Sequence, residues 1–85
     1  EAPRCGRTAG STQAMTQTWF FEMAQNYAFA HEQDFRFKAD DGVQIGDLLD
    51  VSFPDKSKPA WTGRVVEVRP NRGAAGTVMV VAVNE

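Results

Sequence analysis

The chain has 85 residues, 42% hydrophobic and 24% charged, with a formal net charge of −2: the composition of one small globular domain whose thin core favours contact with a partner. The acidic balance argues against a general nucleic-acid binder, which is usually basic. The single cysteine, Cys5, excludes an intrachain disulfide, and no apolar run approaches the ~20 residues of a membrane span.

The charge is unevenly distributed. Residues 1–55 hold four basic against nine acidic residues, and residues 56–85 hold five basic against two acidic. Such blocks read either as a mixed solvated surface or as a device for docking copies head to tail or against a charged partner.

Residues 1–14, EAPRCGRTAGSTQA, lack any apolar period and read as a flexible N-terminal arm ahead of a single small domain over residues 15–85. No signal-peptide pattern is visible, and a first residue of Glu1 rather than Met predicts a processed or incomplete start. Met15–His31 fits two patterns. As a helix, Trp19, Met23 and Tyr27 share a face beside Phe20, Ala24 and Ala28, with Thr16 or Thr18 as cap. As a strand, Tyr27, Phe29 and His31 alternate, and Thr, Trp, Phe and Tyr favour extended chain. The helix is the favoured expectation, with the aromatic cluster in the core in either case.

Asp34–Ala39 alternates Phe35, Phe37 and Ala39 with Arg36 and Lys38, the pattern of a half-buried strand. Asp41-Gly42 signals a turn. Val43–Ile45 reads as a short strand leading into a Gly46-Asp47 turn, and Leu48–Phe53 places Leu49, Val51 and Phe53 on one face. Pro54 ends that pairing. Asp55–Pro59 is a polar loop, after which Trp61 folds over one end of the core or serves as an interface anchor. Arg64–Arg69 is a strand with Val66 and Val68 inward, Pro70–Gly76 a loop, and Thr77–Val83 a strand apolar on both faces. A strand of that kind is central in a covered sheet or lies in a subunit interface.

Chemistry-bearing patterns are sparse. His31, the sole histidine, has no cysteines or carboxylates at metal-ligand spacing, and beside Glu32 it reads as a surface pair. Cys5 lies in the arm, where catalytic geometry is not held. Arg72–Gly76 matches neither phosphate-loop motif. Asp40, Asp41, Asp47, Asp50 and Asp55 sit in or beside turns, which aspartate favours for local hydrogen-bonding reasons. The expectation is a non-enzyme without cofactor or metal. A small barrel that binds single-stranded nucleic acid is the alternative, with Lys56, Lys58, Arg64, Arg69 and Arg72 as its charge and Trp61 as its stacking ring.

Over residues 43–68 the chain resembles small β-barrel proteins of tailed-phage virions. The element RxGDxxxV corresponds to Gln44-Ile45-Gly46-Asp47-Leu48-Leu49-Asp50-Val51, and xxGRxxxV to Trp61-Thr62-Gly63-Arg64-Val65-Val66-Glu67-Val68. Gln44 stands where that pattern often has a basic residue or proline, and residues 1–30 do not match. The resemblance spans about the last 50 residues, and the same turn signals recur in unrelated SH3-like barrels. It implies a head–tail joining, decoration or tail-associated barrel module: a virion protein that contacts copies of itself and other structural proteins.

The expected fold is mainly β, an SH3-like barrel or sandwich of four or five antiparallel strands with one N-terminal helix. The expected contact residues are Trp61, Lys56, Lys58, Arg69, Arg72, Met79 and Val81, with a virion or otherwise cytoplasmic location and no membrane.

Overall fold

The computed structural model describes residues 16–85, so the arm expected over residues 1–14 lies outside the described residues. The described residues form a mixed sheet of β1 (Thr18–Glu22), β2 (Glu32–Lys38), β3 (Leu48–Ser52), β4 (Trp61–Pro70) and β5 (Thr77–Asn84), in the spatial order β1-β3-β4-β5-β2. The β3–β4, β4–β5 and β5–β2 pairs are antiparallel, whereas β1 runs parallel to β3. The wholly antiparallel expectation is corrected at that pair. No described helix is long and apolar enough to cross a membrane.

The expected helix over residues 15–31 is not formed across the described part of that stretch. Thr18-Trp19-Phe20-Phe21 are residues that fit a pleated surface, and they pair with Leu48–Val51. Their burial alternates: Trp19 is fully buried, Phe20 is exposed, and Phe21 and Met23 pack on the core. A helix would have put Trp19 and Tyr27 on one face, yet Tyr27 is 50% exposed. After β1 the chain is irregular until β2, and Phe29 turns back into the core against Phe53 and Trp61, with ring centroids 5.5 Å from each.

β1 and β2 stand at opposite ends of the strand order, but their aromatic rings meet. Trp19 lies edge-on to Phe37 at 5.4 Å, and Phe21 meets Phe37 at 5.4 Å and Phe35 at 5.8 Å. The sheet therefore curls into a half-barrel whose two end strands touch through their rings; among the described residues no ladder joins β1 to β2. Its inside holds Trp19, Phe37, Val43, Leu49, Val51, Phe53, Trp61, Val65, Val80 and Ala82.

Three local expectations change. Val43–Ile45 forms no strand, although Val43 is buried, because the chain turns there through Gly46 at φ 98°. Ala39 begins a 3-10 turn, Ala39–Asp41, rather than ending a strand. In β4, Val65 rather than Val66 faces inward, at 1% against 48% exposure. A bulge between Val65 and Glu67 inserts Val66 as an extra residue, so that Val65 and Val68 both reach the core despite their odd spacing.

Candidate functional site

The buried polar node of the fold is Asp47, 2% exposed. Its Oδ2 accepts from the Trp19 indole N–H at 2.9 Å and from the Gln44 amide at 2.9 Å, and its Oδ1 accepts from the Gln17 amide at 3.1 Å. The Asp47 carbonyl also accepts from the Val65 amide at 2.8 Å. A carboxylate is acceptor-only, and here three donors converge on it from β1, from the residue before it and from the turn before β3. Its role is to join β1 to the rest of the sheet. The Gly46-Asp47 pair is thus a structural clamp as well as a turn.

Trp61 is 8% exposed and lies in the core. Its indole N–H donates to the Ala30 carbonyl at 3.1 Å, and its ring meets Phe35 at 5.7 Å. The ring crosses Gly63, where a Cβ would stand 2.5 Å from its Cη2 atom, so glycine is what lets the indole lie flat on the strand. Trp61, expected among the contact residues, presents little surface and acts as packing.

The other expected contact residues fall into separate groups. Lys56 and Lys58 lie in the β3–β4 loop, with Lys58 Nζ 4.8 Å from the Phe53 ring centroid. Asp55 organises that loop by accepting from the Ser57 hydroxyl at 2.7 Å and amide at 2.9 Å, and these bonds, with Lys58 nearby, lower its carboxyl pKa. Arg72 lies in the β4–β5 loop. The two loops are at opposite ends of β4, whose 10 residues span about 30 Å. The basic residues do not form one groove.

Arg69, Met79 and Val81 do come together, on the outward face of the sheet. Val80 and Ala82 point into the core, so alternation sends Met79, Val81 and Val83 outward. Pairing then builds rows across β2, β5 and β4: Arg36–Met79–Arg69, Asp34–Val81–Glu67 and Glu32–Val83–Arg64. An apolar stripe on β5 runs between two charged strands, and Val81 is only 7% exposed between its acidic neighbours. Arg69 pairs with Glu67 along β4. Arg64 forks onto Glu85, with Nε–Oε2 at 2.7 Å and Nη2–Oε1 at 3.3 Å, and donates from Nη1 to the Gly46 carbonyl at 2.9 Å. That fork lowers the Glu85 pKa and raises that of Arg64.

The acidic and basic blocks of the sequence do not become two poles, because β2 from the acidic part docks beside β5 from the basic part. His31 and Glu32 are both exposed, with the His31 carbonyl held by the Asn84 amide at 2.7 Å. Among the described residues no group of three or more His, Cys, Asp or Glu is placed to hold a metal. Sequence reasoning missed the Asp47 clamp, whose only signal was one Asp before a strand and a lone Trp far upstream. It also missed the two open sheet edges, which depend on strand order. Comparisons with known proteins returned no matching family model, curated protein or solved structure.

Proposed function

We propose that this chain is a non-enzymatic structural protein that works by assembling in multiple copies, as a minor component of a tailed-phage virion of the head–tail connector or decoration type. The observation that carries the reading is the open half-barrel. Among the described residues β1 and β2 are unjoined sheet edges, and an open edge is a template for another chain. The charged rows around Met79, Val81 and Val83 give the same body an outward face suited to ordered contact. The resemblance over residues 43–68 supplies the virion setting, and the partners are copies of this chain and neighbouring structural proteins. The nucleic-acid alternative loses its stacking ring with Trp61 in the core, and its basic groove with Lys56 and Lys58 far from Arg72.

Light scattering of the purified chain at low and moderate salt, with and without a mixed oligonucleotide, tests this. A dimer or larger ring indifferent to the oligonucleotide is expected. A monomer whose mass rises with the oligonucleotide, and falls again as salt is added, would replace the structural reading with the nucleic-acid one.

A further inference from the structure

We propose that β2 is a homodimerisation edge: two copies join their β2 strands antiparallel about a two-fold axis at Phe35, forming one continuous sheet. This deepens the assembly reading above and rests on it.

The backbone supplies the first argument. Among the described residues β2 is the last strand of the sheet, paired on one side only, to β5. The Asn84 amide donates to the His31 carbonyl at 2.7 Å, and the Ala39 amide to the Gly76 carbonyl at 2.8 Å. In an antiparallel ladder, residues that bond across alternate with residues that do not. Odd positions from 31 to 39 therefore bond to β5. Glu32, Asp34, Arg36 and Lys38 turn their N–H and C=O groups toward the open edge.

Charge supplies the second. Those same four residues project their side chains onto the outward face, all exposed, and read acid, acid, base, base along the strand. Among the described residues none of the four is paired with another charge in its own chain. With β2 set antiparallel to its copy and centred on Phe35, Asp34 faces the second copy's Arg36 and Glu32 faces the second copy's Lys38. Every outward cross-strand pair is then of opposite sign, at positions where such pairs stabilise a ladder. The same register makes these four the residues that exchange backbone hydrogen bonds. The two requirements, hydrogen-bond parity and charge, meet in one alignment.

Neighbouring alignments fail. Sliding one strand by two residues keeps the parity but sets Asp34 against Asp34, or Arg36 against Arg36. Sliding by one residue sets open edge groups against groups already used by β5. Parallel in-register pairing places like charges together throughout. On the inner side Phe35, half-buried against Phe21, Phe29 and Trp61, meets its own copy at a position without backbone bonds, where side chains approach most closely. The opposite edge, β1, carries the single charge Glu22 and has no such complement. The arrangement is isologous and closes after two copies.

Charge exchange tests the register. Sedimentation equilibrium of the full chain is compared with Asp34→Arg, Arg36→Asp and the double variant carrying both, with far-UV circular dichroism to check folding. Each single variant sets two like-charge pairs across the two-fold, and its dimer is expected to weaken about tenfold or more. The double variant restores opposite signs at both and is expected to recover the wild-type dimer. Assembly of all four proteins with equal affinity would overturn the β2 register while leaving the assembly reading intact. A wild type that stays monomeric would overturn both.

Discussion

Asp47 shows how one side chain can decide whether a strand belongs to a fold. It binds the buried Trp19 indole and the amides of Gln17 and Gln44, and all three are donors. Asparagine can offer only one acceptor oxygen and must turn its NH2 toward at least one of them. Asp47→Asn is therefore expected to cost about 1–2 kcal/mol, and Asp47→Ala, which leaves all three donors unmet, about 3 kcal/mol. Urea denaturation followed by tryptophan fluorescence checks this; an alanine variant as stable as the parent would mean that the clamp carries no stability. At the surface, the Arg64–Glu85 fork depresses the Glu85 pKa. The folded state thus holds this proton less tightly than the unfolded chain does. The contribution is present above the ordinary glutamate range and is lost as pH falls through the lowered value. Glu85→Gln should accordingly show a smaller drop in urea midpoint than the parent between about pH 7 and about pH 3, the difference being slight because the pair is exposed and screened.

At the scale of elements, β4 is shaped by its bulge. Simple alternation from Arg64 predicts Val66 and Val68 on the core side, but Val66 is the inserted residue and Val65 takes the inward place. Val65→Ala is expected to cost about 2 kcal/mol, as truncation in a packed core does, whereas Val66→Ala should fall within about 0.5 kcal/mol of the parent. Equal losses at the two positions would contradict the bulge. β1 makes a related point. Its aromatic and threonine residues favour extended chain only once a neighbouring strand offers pairing, and β3 does so through the Trp19–Leu49 and Phe21–Val51 registers.

For the whole molecule, the governing fact is that its strands pair across long stretches of sequence. β1 pairs with β3 and β2 with β5, so these loops must close before their contacts reward closure. Folding is expected as a single exponential on the millisecond-to-second timescale, followed by the fluorescence of the buried Trp19 and Trp61 in stopped flow. A microsecond phase that carried the whole signal would contradict this, because Trp19 reports on β1 paired with β3.

Local pattern was enough to read much of this fold. Alternation in Phe35/Phe37 and Leu49/Val51/Phe53 identified two strands and their inward faces, because a pleated strand sends successive side chains to opposite sides. The proline and glycine signals marked the loops between β3, β4 and β5, since those residues restrict or extend the backbone locally. The doubly apolar run in β5 fitted either a central strand or a subunit interface, and the structure places it between β4 and β2. The remainder came from contacts between elements distant in sequence. The state of residues 18–22 depended on β3 as a partner, and the inward residue of β4 on a bulge that no local propensity encodes. The placing of Trp61 depended on Gly63 opening room beneath its ring. Strand order was likewise beyond the sequence pattern. Among the described residues it leaves β1 and β2 as the edges and so gives the acid-acid-base-base run of Glu32–Lys38 a side on which to act.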